Sequence, residues 1–224
     1  MEPKIHAMIP CNANSSRVYQ NNQRYLNGLQ LPAWAIRTCK RTDIFDDIWI
    51  YSCDKEMMAI AMAEGVKFFR EPEVMTDPDA MNDDFAFNFI ENVACDILIQ
   101  VNTTSPFVTY KDVNSFVHYF INGKYDTLLS VKKEQIETIY RGKPVNFNKK
   151  DKMRPSQELE PVLIYTSSIM GWRTSTYKRS YMDYGYAVHG PIGLTGYYEM
   201  SGISTIDIDT EDDWKFAEKI ARTL

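Results

Sequence analysis

Short apolar runs bounded by polar turns alternate along this chain with segments whose apolar residues recur at helical spacing. Residues 4–9 (KIHAMI), 47–52 (DIWIYS), 66–69 (VKFF) and 96–101 (DILIQV) are expected as strands, the last apolar enough to sit centrally in a parallel sheet. Between them, a helix is expected to begin near Pro32, and a second to run over 55–64, opened by Asp54 and stopped by Gly65. The Met57, Met58 and Met62 stripe of that second helix is expected to pack into core. A third helix over 82–93 would bury Phe85, Phe89 and Ile90. Thr109 with Asp112 forms a capping box ahead of a fourth helix reaching Ile121, and Thr210 with Asp213 another before an amphipathic helix over 214–222.

Strands and helices alternating at this interval predict an α/β doubly wound sheet, with ligands beyond the carboxyl ends of its strands. Pro10 to Arg17, Arg70 and Asn102 to Ser105 are therefore expected to share one crevice. From Thr127 the rhythm changes. LLSVKK and QIETIYR alternate like antiparallel strands, rejoined by residues 161–171, so 127–171 is expected as an antiparallel insertion that covers the crevice or meets a partner. The tyrosine-rich residues 175–186 suit a surface helix or part of a substrate rim.

A length of 224 residues suits one domain, here taken as 1–224. The net charge of −5 offers no overall attraction to nucleic acid or acidic lipid, so any phosphate site must be local. No apolar run approaches a membrane span and no signal-peptide pattern opens the chain, which sets the expectation of a cytoplasmic protein. The four cysteines, Cys11, Cys39, Cys53 and Cys95, make no CxxC or Cys/His cluster, so reduced thiols are expected rather than zinc ligands or disulfides. Cys11 stands in a loop that would face a ligand, yet no histidine lies near it in sequence to act as its base.

Two stretches carry chemistry. The loop 9–22 (IPCNANSSRVYQNN) offers small and amide residues, Asn12, Ala13, Asn14, Ser15 and Ser16, whose backbone N–H groups could turn toward an anion, with Arg17 as a fork-shaped phosphate donor. It contains no glycine and matches neither common phosphate-loop pattern, so a plain polar connection that caps a helix stands as the alternative. Near the far end, IDIDT places Asp207 and Asp209 two residues apart. In a strand they would share a face, where Mg²⁺ could bridge them to phosphate.

Several of these stretches, in order and spacing, resemble the CMP-sugar synthetases, the acylneuraminate and ketodeoxyoctonate cytidylyltransferases. The family's IPARxxSxR loop, the basic residue after the third strand, QPTSP and the terminal SIDIDTxxDW correspond here to IPCNANSSR, Arg70, VNTTSP and STIDIDTEDDW. The resemblance implies a Rossmann-like (GT-A-like) nucleotidyltransferase fold, a three-layer α/β sandwich whose antiparallel insertion serves a homodimer. It also implies CTP and an acidic sugar as substrates, and Mg²⁺ as cofactor. Residue by residue, it implies nucleotide contacts from Pro10, Cys11, Asn12 to Ser16, Asn22, Arg70 and the stretch Asp79, Ala80, Met81 and Asn82. Arg17 and Asp209 take catalytic roles, Asp207 and Asp209 carry metal, and Asn102, Thr104, Ser105, Gln157 and Ser167 contact sugar. The departures concern charge. Asn12 and Asn21 stand where the family has Arg and Lys, Phe107-Val108 follow the TSP turn where an arginine is usual, and Tyr165-Thr166-Ser167-Ser168 replaces ENGA or RPNGA. Losing cations that face a triphosphate weakens the charge stabilisation on which phosphoryl transfer depends. An impaired nucleotide-binding or scaffold homologue, or a transferase for another sugar, is therefore the competing expectation.

Overall fold

The computed structural model describes residues 2–11, 18–72 and 81–224. A seven-stranded sheet forms its middle layer. In chain order its strands are β1 (Ile5–Pro10), β4 (Asp47–Ser52), β5 (Lys67–Arg70), β6 (Ile97–Val101), β7 (Thr127–Glu134), β10 (Val162–Arg173) and β11 (Thr195–Met200). Across the sheet the order is β11-β7-β10-β6-β1-β4-β5, and every neighbouring pair is parallel except the two made by β10, with β6 and with β7. Small hairpins β2 (Tyr25–Leu26) with β3 (Leu29–Gln30), and β8 (Ile139–Tyr140) with β9 (Lys143–Pro144), stand apart from it.

Helices cover both faces. Alternate residues of β1 and β6 (Ile5, Ala7, Ile9; Ile97, Ile99, Val101) pack with α1 (Leu31–Lys40), α2 (Lys55–Glu64) and α4 (Tyr110–Asn122). The other parity, Met8 and Leu98, packs with α3 (Asn82–Asn92) and α5 (Thr174–Tyr184) through Phe85, Phe89 and Tyr177. Gly171 lets α4 approach β10, since a Cβ there would stand 2.9 Å from Ile99 Cδ1 and 3.0 Å from Phe116 Cε1. A third cluster unites Val18, Leu26, Phe107 and Ile208 with Trp214 and Ala217 of α6 (Glu211–Ala221).

Local signals act as the sequence implies. Asp54 accepts the Glu56 N–H to cap α2, Gly65 ends it at φ 66°, and Thr109/Asp112 and Thr210/Asp213 form reciprocal capping boxes. Three expectations change. Residues 127–171 are antiparallel but are not a separate insertion: β7 and β10 lie inside the main sheet, and of QIETIYR only Ile139–Tyr140 is strand. Met57 is buried, whereas Met58 and Met62 are exposed, because their positions on α2 turn away from α1 and the sheet. The IDIDT segment is not strand at all. It leaves a 3-10 turn (Gly202–Thr205) as irregular backbone, and Ile208 donates its N–H to the Thr104 carbonyl at 2.9 Å.

Under α3, His6 is buried beside the Trp49 ring, with Nε2 3.7 Å from Asp47 Oδ2. Burial lowers its pKa, and Asp47 opposes this only partly. The unfolded chain therefore takes up a proton near pH 6.5 that the folded chain resists. Stability is expected to fall as pH drops below that value. Melting curves between pH 8 and 5 should show a shallower decline for His6→Leu than for the wild type, and parallel declines would count against this assignment.

Candidate functional site

Beyond the carboxyl ends of β1 and β6, on the α3/α5 face, lies a cleft of about 680 Å³. Pro10 ends β1 at its rim. Asn21 and Asn22 enter from the connection to α1, Met81, Asn82 and Asp83 from the start of α3, and Gln100, Asn102, Thr103 and Thr104 from β6 and its turn. Leu129, Ser130, Tyr165, Ser167 and Met170 come from β7 and β10, and Val188 and His189 from the loop after α5.

The first loop is anchored at both ends. Cys11 donates its N–H to the Tyr51 carbonyl at 2.9 Å, and the Ser52 hydroxyl donates to the Cys11 carbonyl at 2.6 Å. At the far end Val18 is buried in the cluster that holds Ile208, and Thr103 Oγ1 donates to Asn22 Oδ1 at 2.7 Å. Arg24 pairs with Glu211 at 2.6 Å while its guanidinium lies 3.9 Å over the Trp214 ring. The exit of the first loop, the NTTSP turn and the start of α6 are thereby fastened to one another. Asp207 and Asp209 flank the buried Ile208, and both are half-buried.

Pro10, Asn22, Met81, Asn82, Asn102, Thr104 and Ser167 all line the cleft. Asn12, Ala13, Asn14, Ser15, Ser16 and Arg17, with Asp79 and Ala80, lie outside the described residues. Other expected positions are not among the described residues that line it. The Cys11 side chain faces the α1/α2/α4 core, fully buried, and burial raises its pKa far beyond thiolate formation, while its N–H and carbonyl are engaged by Tyr51 and Ser52. Ser105 is buried beneath the turn, Arg70 is exposed at the end of the edge strand, and Gln157 sits on the exposed 135–161 arm, its carbonyl accepting from Gln135 Nε2. Asp207 and Asp209 stand next to the Thr104 side of the cleft through Ile208 rather than in its wall.

Other residues complete the site. Tyr165 has its ring centroid 5.3 Å from that of His189, and burial with the Tyr197 hydroxyl pushes its phenol up to about 12. His189 is the one basic side chain among the described residues lining the cleft. Asp83 Oδ1 accepts the N–H groups of Ala187 and Val188, which holds the His189 loop against the start of α3. Gln100 lies in a row of the sheet between Met8 and Met170 and is 1% exposed. Its Oε1, and Nδ2 of Asn82, have no hydrogen-bond partner among the described residues. An unmatched buried polar atom of this kind costs about 1–3 kcal/mol if nothing meets it, so the pair leaves one acceptor and one donor for a group from outside the described residues. A lone glutamine in DILIQV, two residues before Asn102, was the signal in the sequence for it. Nothing local marks His189.

A family model described as cytidylyltransferase matches residues 6–215. The chain belongs to the cytidylyltransferase family. It is 25% identical to N-acylneuraminate cytidylyltransferase A of Danio rerio, over 96% of this chain and 50% of that protein. It is 27% identical to 3-deoxy-manno-octulosonate cytidylyltransferase of Bdellovibrio bacteriovorus, over 53% of this chain and 47% of the relative. The chain thus spans about half the length of the curated relatives it matches. Among solved structures it resembles CMP:2-keto-3-deoxy-manno-octonic acid synthetase complexed with CTP, with a TM-score of 0.76, 14% identity and coverage of 99% of this chain and 100% of that one. That likeness bears on the fold, a nucleotidyltransferase three-layer sandwich.

Proposed function

We propose that this cytidylyltransferase-family chain activates an acidic sugar with CTP, giving a CMP-sugar and pyrophosphate. The observation that carries the reading is the convergence beyond the carboxyl ends of β1 and β6. The anchored ends of the first loop and the NTTSP turn line a single cleft, and the Ile208 segment is tied beside it by the Ile208–Thr104 bond and the Val18–Ile208 packing. Family membership supplies the reaction type. The names of the two relatives, N-acylneuraminate and 3-deoxy-manno-octulosonate cytidylyltransferase, supply the class of sugar.

In this reading the sugar's anomeric hydroxyl attacks the α-phosphate of CTP in line, and pyrophosphate leaves. Backbone N–H groups of residues 12–16 and the Arg17 guanidinium neutralise phosphate charge, while Asn22, Met81 and Asn82 line the nucleotide side. Asn102, Thr104 and Ser167 orient the sugar. Asp207 and Asp209 suit Mg²⁺, which commonly takes one or two carboxylates together with substrate phosphates, so the absence of a three-ligand acidic cluster among the described residues is compatible with it. When bound, the ion would draw off charge developing on the phosphate oxygens. We also propose a homodimer, supported by exposed apolar residues on and beside the arm, Ile136, Ile139, Tyr140, Val145 and Met153.

One observation favours a weaker transferase. Asn21, which replaces the loop lysine of the resemblance, is buried and uses its Oδ1 to accept the Asn22 N–H, a turn-forming role rather than a charge-bearing one. The deciding experiment incubates the protein with CTP, Mg²⁺ and either N-acetylneuraminate or 3-deoxy-manno-octulosonate, and follows pyrophosphate. Release with either sugar is the expected result. CTP-dependent thermal stabilisation without release would favour a nucleotide-binding subunit.

A further inference from the structure

The unmatched pair on the cleft floor is set by the backbone of β10. The register between β10 and β7 slips between Tyr165 and Met170, and within that bulge Ser167 adopts φ 53°. Its carbonyl accepts from Asn102 Nδ2 at 2.7 Å. Only a donor can face a carbonyl, so the Asn102 amide is oriented, and its Oδ1 turns to accept Gln100 Nε2 at 2.8 Å. Gln100 Nε2 also donates to Asn82 Oδ1 at 2.9 Å, which fixes the third amide in turn. The polarity of all three side chains follows from one strained residue. What remains at the end of this relay is an acceptor, Gln100 Oε1, and a donor, Asn82 Nδ2, both without a partner among the described residues.

A hydroxyl is the one common ligand group that accepts and donates through a single atom. Resting on the reading above, we propose that Gln100 and Asn82 form a hydroxyl-recognising subsite, and that Gln100 is a specificity-determining residue of this transferase. The hydroxyl could belong to the ribose of CTP or to the acidic sugar. The chemistry is the same, and the test separates the sources.

The test compares wild type, Gln100→Met and Asn82→Asp. Methionine suits the slot between Met8 and Met170, and aspartate keeps the acceptor that Gln100 Nε2 uses while removing only the unmatched donor. Binding of CTP, 2′-deoxy-CTP and 3′-deoxy-CTP is measured by calorimetry. KM for N-acetylneuraminate and for 3-deoxy-manno-octulosonate is measured by pyrophosphate release at saturating CTP. If ribose is read, wild type prefers CTP over one deoxy analogue by about tenfold, and both variants reduce that preference below twofold. Because the comparison is a ratio, the added charge of Asn82→Asp, which acts on all three nucleotides alike, does not imitate this. If the sugar is read, the nucleotide ratios stay as in wild type and Gln100→Met raises the sugar KM about tenfold. Unchanged ratios together with an unchanged KM would overturn the subsite while leaving the cytidylyltransferase reading intact. Failure of wild type to bind CTP would overturn both.

Discussion

Asp209→Ala is expected to cut pyrophosphate release on the order of a hundredfold or more at unchanged melting temperature, the largest effect of any single substitution on the proposed reaction. The fold should survive because the α6 cap is built by others: Thr210 Oγ1 accepts the Asp213 N–H, and Asp213 Oδ2 accepts from the backbone of Asp209 and Thr210. Asp209 contributes its backbone N–H to that cap, a group that alanine keeps. The loss should appear in kcat/KM at all Mg²⁺ concentrations within reach, with partial recovery as the ion is raised if affinity for it is what was weakened. Asp212, 91% exposed and paired with Lys215, is the matched control, since its removal deletes a nearby carboxylate without touching the Ile208 segment. Turnover by Asp209→Ala at the Asp212→Ala level would remove the metal assignment from this end of the chain.

What was legible in the sequence followed from local chemistry. Asp54, Gly65, Thr109/Asp112 and Thr210/Asp213 mark helix ends through contacts within four residues, and they act in the structure as their types imply. Strand pairing is not local. Nothing in LLSVKK shows that it pairs with residues 163–165 and 170–171 inside the main sheet and runs parallel to β11 on its other side. The antiparallel character could be read, but its place in the sheet could not.

The site divides the same way. Thr103 bonding Asn22, and Ile208 bonding Thr104, join residues 81 and 104 positions apart; the rule that ligands lie beyond the carboxyl ends of the strands brought the first loop and the NTTSP turn together, and the resemblance added the Ile208 stretch. Cys11 was within reach of a simpler argument. Ile5, Ala7 and Ile9 face one side of β1, so period two carries position 11 to the same core, while Pro10 falls on the cleft side. The same parity aligns Leu98, Gln100 and Asn102, which turns DILIQV from an apolar run into a strand with a polar end on its ligand-facing side.

Trp172→Ala is expected to be the most destabilising single substitution, costing about 3–5 kcal/mol and lowering Tm on the order of 10 °C for a chain of this size. The indole is fully buried on the α3/α5 face of β10, the strand between β6 and β7, packed edge-on against Tyr177 of α5 with ring centroids 5.2 Å apart. It also reaches the site. Trp172 Nε1 donates to the Val188 carbonyl at 3.0 Å, and Val188 and His189 line the cleft. Alanine removes both the volume and the bond, so Trp172→Phe is needed to tell them apart. Phenylalanine keeps much of the apolar contact but leaves the Val188 carbonyl without this donor, a loss of about 1–3 kcal/mol if nothing replaces it. Its expected signature is a smaller fall in Tm with a raised KM for the sugar and a kcat near wild type, because the loop that carries His189 is held less firmly on one side while Asp83 still holds Ala187 and Val188 from the other. A wild-type KM in Trp172→Phe would mean that the Asp83 carboxylate alone positions this wall of the cleft, and the double variant with Asp83→Ala should then show the rise that the single one lacks.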